Sequence, residues 1–132
     1  MRHALPLLLL ASPLAAHEYR VENLTIDHPF TYVSDAATRE GYLILVNDGA
    51  AADTLLGAQG AGAAFLADAD GLPIAALALP AGGAVELLPG GPHVRFAAPG
   101  AAWTEESEVA VTLLFEAAGE VPVVFYVEPA PD

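Results

Sequence analysis

The sequence predicts an all-β fold, an antiparallel β-sandwich or barrel in a single domain, and three observations carry that prediction. Short apolar or alternating runs recur along the chain with Gly- and Pro-containing turns between them. No stretch shows the 3.6-residue apolar period of an amphipathic helix. At 132 residues the chain has one domain's length, and no repeat or linker divides it.

The elements follow in order. "YRVENLTID" (19–27) alternates, with Val21, Leu24 and Ile26 on its apolar side. "GYLILVND" (41–48) is an apolar run that ends in an Asn-Asp-Gly turn, the pattern of a buried strand. "TLLGAQGAGAA" (54–64) is alanine-rich, but its three glycines speak against a helix, and it is assigned no element. "AAFLADADGLPIAALALP" (63–80) reads as strand, Asp-Gly turn and strand, a hairpin centred on Asp70 and Gly71. "GGAVELLPGG" (82–91) is a short strand between turns, and "HVRFA" (93–97) follows it. "EVAVTLLFEAAGEVPVVFYVEP" (108–129) gives two long strands around Gly119. Pro122 lacks an N–H, which predicts an edge position or a strand's first residue.

The first sixteen residues, "MRHALPLLLLASPLAA", combine a basic Arg2, an apolar run from Leu5 to Leu10, and small residues at Ala11, Ala15 and Ala16. That is the layout of a secretory signal peptide. Residues 1–16 are expected to be a leader and 17–132 an exported β domain. The apolar run is too short to anchor in a bilayer, and no membrane insertion is expected.

Charge narrows the possible partners. The chain has no lysine, and the part after the leader sets three arginines (Arg20, Arg39, Arg95) against 17 acids, a net of −14. Nucleic-acid binding depends on Lys and Arg, so nucleic acid is not expected as a partner, and anionic membranes would repel this surface. Acidity suits solubility and the steering of a cationic partner or metal ion. With no cysteine, disulfides, thiolate catalysis and Cys-based zinc sites are excluded. The only methionine is Met1.

Catalytic constellations are missing. Ser34 and Ser107 lie in turn-like segments without a G-x-S-x-G context or a base beside them, so no catalytic residue is assigned and an enzyme is not expected. "DADG" (68–71) lacks the remaining ligands of a calcium loop and reads as a turn. Glu105, Glu106 and Glu108 read as a solvated loop. "GAQGAGAA" lacks the Lys-Ser/Thr ending of a phosphate loop. "NLT" (23–25) is a glycosylation sequon that falls within an expected strand. What remains are His17, His28 and His93, whose imidazoles suit copper, zinc or nickel. A lone histidine in a β domain is more often a hydrogen-bonded structural residue, and spacing alone does not show that the three converge.

The segments "AHEYRVENLTIDHPF", "GYLILVNDG", "LPAGGAVELLPGGPHV" and "VAVTLLFEAAGEVPVVFYV" occur in that order. In this order the chain resembles the periplasmic copper chaperones of the PCu(A)C family, over about residues 16 to 128. The resemblance implies a cupredoxin-like fold and a periplasmic role in delivering copper toward cytochrome oxidase assembly, with an acceptor protein of the respiratory chain as partner. It also implies Cu(I) held by histidine and methionine, with a final His-x-Met pair just after the Pro-Gly-Gly turn. Here that position reads His93-Val94-Arg95, so the histidine stands and the methionine is replaced. Leu66 falls near the family's earlier histidine, and Asp68 lies in the segment that follows.

Cu(I) prefers sulfur donors, and the chain after its leader has none. Arg95 adds a cation beside His93 and is free to pair with an acid on a neighbouring strand. Two functions follow. In the first, copper is bound at a non-standard or degenerate site, as Cu(II) rather than Cu(I). If cleavage follows Ala16, the α-amine and imidazole of His17 together grip Cu(II), a histidine-brace type of site completed by His28, His93 or an acid such as Glu18. Cleavage one residue earlier loosens that grip. In the second, the chain is a ligand-depleted β-sandwich that acts as a protein-binding or assembly module without metal.

Overall fold

The computed structural model describes residues 17–131, together with the strand Ser12–Leu14. The rest of the expected leader lies outside the described residues. The strands are β1 (Ser12–Leu14), β2 (Glu18–Val21), β3 (Leu24–Tyr32), β4 (Thr38–Asn47), β5 (Asp53–Gln59), β6 (Ala63–Ala67), β7 (Leu77–Leu79), β8 (Ala84–Leu87), β9 (His93–Ala97), β10 (Glu108–Phe115) and β11 (Gly119–Glu128). They form one curled sheet in the order β6-β9-β4-β3-β11-β10-β5-β7, with β2 added to β3, β1 to β2, and β8 to β4. No helix among the described residues is long and apolar enough to cross a membrane.

Period-two patterning builds the core. In β10, Val109, Val111, Leu113 and Phe115 point inward; in β11, Val121, Val123, Phe125 and Val127 do the same. They meet Ile26, Leu43, Leu45, Leu55, Leu66, Leu79, Leu87, Val94 and Phe96, all fully buried. Fully burying one such side chain contributes roughly 1.5–3 kcal/mol.

The sheet is mixed, a departure from the all-antiparallel expectation. The last residues of β11 run parallel to β3, in the register Tyr126↔Phe30 and Glu128↔Tyr32. This is possible because β3 changes partner along its length: Leu24–Asp27 pair with β2, while Phe30–Tyr32 pair with β11. A bulge between Asp27 and Phe30 separates the two halves. His28 sits in it with φ 54°, a left-handed conformation that costs a residue with a Cβ roughly 1–2 kcal/mol. The extra residue reverses the alternation, so Ile26 is in the core while the Phe30 ring lies on the opposite face against Tyr42.

Three further expectations are corrected. Asp70 and Gly71 do form a turn, but no long hairpin follows it: β6 and the returning chain share only the bridge Ala67↔Pro73, and β7 pairs with β5 instead. The alanine-rich run at 54–64 is not structureless; most of it is β5, which pairs with both β10 and β7. Its glycines do exclude a helix, as expected; Gly60 and Gly62 (φ 117° and 80°) serve the turn into β6. Asn23 lies in an exposed turn between β2 and β3, not within a strand.

Pro122 lies inside β11 opposite Thr112 of β10. Val124, two residues on and of the same phase, donates its N–H to the Tyr19 hydroxyl at 3.0 Å, away from β10. The missing N–H of Pro122 therefore falls on the side of β11 that has no ladder partner there, so the position is a local edge.

Candidate metal centre

The three candidate histidines fall into two groups on the outer face of the sheet, the face opposite the apolar core. His17 and His28 form the first. Their backbones are joined by a hydrogen bond from the His28 N–H to the His17 carbonyl at 3.0 Å. Their rings lie nearly parallel, at 7°, with centroids 6.1 Å apart. Tyr126 stacks on His17 at 3.7 Å and 16°. His28 Nε2 lies 2.8 Å from Glu128 Oε2, and both side chains are partly exposed, at 43% and 36%. His17 Nδ1 is buried and has no hydrogen-bond partner among the described residues. A buried polar atom left unsatisfied costs about 1–3 kcal/mol, so this nitrogen suits a ligand supplied from outside the protein.

His93 forms the second group. It opens β9 after the Gly90–Gly91–Pro92 turn, and its side chain is 2% exposed. Nδ1 lies 3.0 Å from the Gly91 carbonyl. Nε2 faces Arg95 Nη1 at 3.4 Å and Glu40 Oε2 at 3.6 Å. Arg95 Nη1 is 3.2 Å from the same Glu40 oxygen, and Glu40 Oε1 accepts the Tyr42 hydroxyl at 2.7 Å. Burial and that hydrogen bond to Glu40 push the Tyr42 pKa well above its usual value. The anticipated pairing of Arg95 with an acid on a neighbouring strand is thus made with Glu40. Turn 68–72 closes over the guanidinium so tightly that a Cβ on Gly71 would stand 2.5 Å from Arg95 Nη1.

Aromatic rings connect the groups. His28 packs on Phe30 at 4.8 Å, Phe30 on Tyr42 at 5.3 Å, and Tyr42 on His93 at 6.4 Å. Two rings thus lie between His28 and His93 along this path. Among the described residues no three of His, Cys, Asp and Glu are grouped to hold a metal ion, so His17, His28 and His93 are not brought together as a three-histidine site.

The other positions singled out in the sequence have local roles. Leu66 is a core residue. Asp68 builds its turn, with Oδ1 accepting the N–H groups of Asp70 and Leu72. Ser34 and Ser107 accept backbone N–H groups in their own turns, and Glu105, Glu106 and Glu108 are exposed. Glu40, Tyr126 and Glu128 were not singled out. Each is an ordinary outward residue in an alternating strand, and only the strand pairing shows what it touches.

The match to a family model decides kinship: residues 24–127 fit LpqE-like, described as "Putative lipoprotein LpqE-like". The chain belongs to the LpqE-like family. Among solved structures, this LpqE-like chain is similar to the copper-bound PCuAC domain from PmoF2, with 29% identity and a TM-score of 0.77 over 86% of this chain and 99% of that one. It is also similar to the apo PCuAC domain from PmoF1, with 27% identity and a TM-score of 0.78 over 86% and 100%. The apo PmoF2 PCuAC domain matches at 29% identity and 0.73, over 86% and 95%. No curated protein matches the chain. The resemblance to PCu(A)C proteins and the cupredoxin-like all-β fold both hold.

Proposed function

We propose that this LpqE-like chain is an exported, periplasmic copper-handling protein that takes copper as Cu(II) at His17 and His28, in place of a Cu(I) site built on sulfur. The observation that carries the reading is the orphaned Nδ1 of His17, buried beside His28. Once residues 1–16 are removed, the α-amine and Nδ1 of His17 become a chelating pair on one residue, and His28 adds a third nitrogen. Nitrogen donors suit Cu(II), and copper stands at the top of the affinity order for divalent ions. The copper-bound PmoF2 domain supports copper as the metal, and the absence of sulfur after Met1 supports nitrogen donors. Delivery would run toward cytochrome oxidase assembly, to an acceptor protein of the respiratory chain. The net charge of −14 after the leader favours a cationic face on that acceptor.

His93 has a different place in this account. Its Nε2 already faces a guanidinium cation, and a second cation there would be repelled by Arg95. That arrangement favours the second reading, a β-sandwich that binds protein partners without metal.

Copper titration of the exported protein, with its N-terminus identified by mass spectrometry, separates the two. One Cu(II) per chain, bound tighter than micromolar and lost in His17→Ala, is the expected result. No uptake of either oxidation state would leave the assembly module standing.

A further inference from the structure

Among the described residues, Glu128 is the one carboxylate in direct contact with either histidine of the first group, and the strand pairing sets it there. The inward phase of β11 carries Val121, Val123, Phe125 and Val127, which leaves Tyr126 and Glu128 on the outward phase. The parallel register sets Tyr126 beside Phe30 and Glu128 beside Tyr32. One strand end thus supplies both the ring under His17, at 3.7 Å, and the carboxylate on His28, at 2.8 Å.

Two chemical consequences follow from that contact. A neutral imidazole that gives its Nε2–H to a carboxylate keeps its lone pair on Nδ1, and it becomes a more basic ligand through that nitrogen. The carboxylate also adds a negative charge next to the bound ion, which favours the doubly charged over the singly charged state. A second feature adds to the field. Glu18 and Asp27 stand directly opposite each other across the β2–β3 ladder, next in sequence to His17 and His28. Like charges in that position destabilise a sheet, and a nearby cation relieves the repulsion.

We propose that Glu128 is the specificity-determining residue of this site: it fixes the Nε2–H form of His28, presents Nδ1 to the ion, and selects Cu(II) over Cu(I). The inference rests on the copper reading above and adds the origin of the oxidation-state preference. Glu128 acts through His28 and is a positioning residue.

The test compares the exported wild-type protein with Glu128→Gln and Glu128→Ala. Gln keeps an acceptor for the Nε2–H and removes the charge; Ala removes both. Nitrogen NMR of the metal-free proteins is expected to show the Nε2–H form of His28 in wild type and Gln, and a mixture in Ala. Cu(II) affinity is expected to fall about tenfold in Gln with Cu(I) affinity unchanged, which raises the one-electron potential by about 59 mV. Glu128 is partly exposed, so all three proteins should keep the same melting temperature within a few degrees. An unchanged potential in Gln, or an equal loss of both oxidation states, overturns the role of Glu128 and leaves the copper site standing. Failure of the wild type to bind Cu(II) overturns the copper reading itself, and this inference with it.

Discussion

Arg95 and Glu40 are direct partners across the β4–β9 ladder, with Nη1 and Oε2 3.2 Å apart. The guanidinium also faces His93 Nε2 at 3.4 Å, so the histidine after the Pro-Gly-Gly turn comes with a cation already in place. The pair is part-exposed, with side-chain accessibilities of 28% and 37%, and such pairs contribute only about 0.2–1 kcal/mol. Its consequence is therefore chemical more than energetic: it sets a guanidinium where an ion on His93 Nε2 would stand.

Arg95→Met removes that cation and puts a thioether two residues from His93. The variant is expected to gain Cu(I) binding that the wild type lacks at this position, with a stability loss below about 1 kcal/mol. Titration with a Cu(I) indicator, repeated in R95M/H93A, checks it: the gain should vanish in the double variant.

Gly41 lies in β4 beneath two core rings. A Cβ there would meet Phe125 Cε2 at 2.7 Å and Phe96 Cε2 at 2.9 Å. Overpacking a dense core costs about 1–3 kcal/mol. Gly41→Ala is expected to lower the urea midpoint by a corresponding amount, with the same m-value as wild type.

Alkaline pH should destabilise the fold through tyrosine. The Tyr42 pKa is raised chiefly by burial and then by its hydrogen bond to Glu40, above a reference of 10.0. The Tyr19 pKa is also raised by burial, partly offset by the N–H of Val124. A group with a raised folded pKa contributes stability that is fully present below its unfolded pKa and is lost as pH rises toward its folded pKa. Unfolding free energy should therefore decline above about pH 10. Tyr42→Phe, which has no proton to lose, should show a shallower decline in urea titrations at pH 8 to 11.

Much of the fold was legible in the sequence, because alternation marks β10, β11 and β4 directly and the Gly- and Pro-containing turns separate them. What stayed hidden depends on pairing. The bulge at His28 reverses which face Phe30 takes, and no local pattern gives that away, since Asp27, His28 and Pro29 suit a strand end equally well. β5 was masked by the glycines in and after it: Gly57 lies within the strand, and Gly60 and Gly62, with positive φ, belong to the following turn. The parallel contact of β11 with β3 joins Glu128 to His28 across a hundred residues.

The candidate site divides the same way. The retained histidine, the replaced methionine and the absence of sulfur were readable at His93, Arg95 and in the composition. The identity of Arg95's partner, Glu40, and the stacking of Tyr126 on His17 were not, because an outward Glu or Tyr in a strand carries no signal of its neighbour.

The central claim is that His17 and His28 together hold Cu(II). Electron paramagnetic resonance of the copper-loaded, exported protein tests it most directly. The account predicts one Cu(II) per chain with nitrogen couplings from both imidazoles, reduced in His28→Ala and abolished in His17→Ala, while His93→Ala leaves the spectrum unchanged. A Cu(II) signal indifferent to His17 and His28, or one that depends on His93, would contradict it.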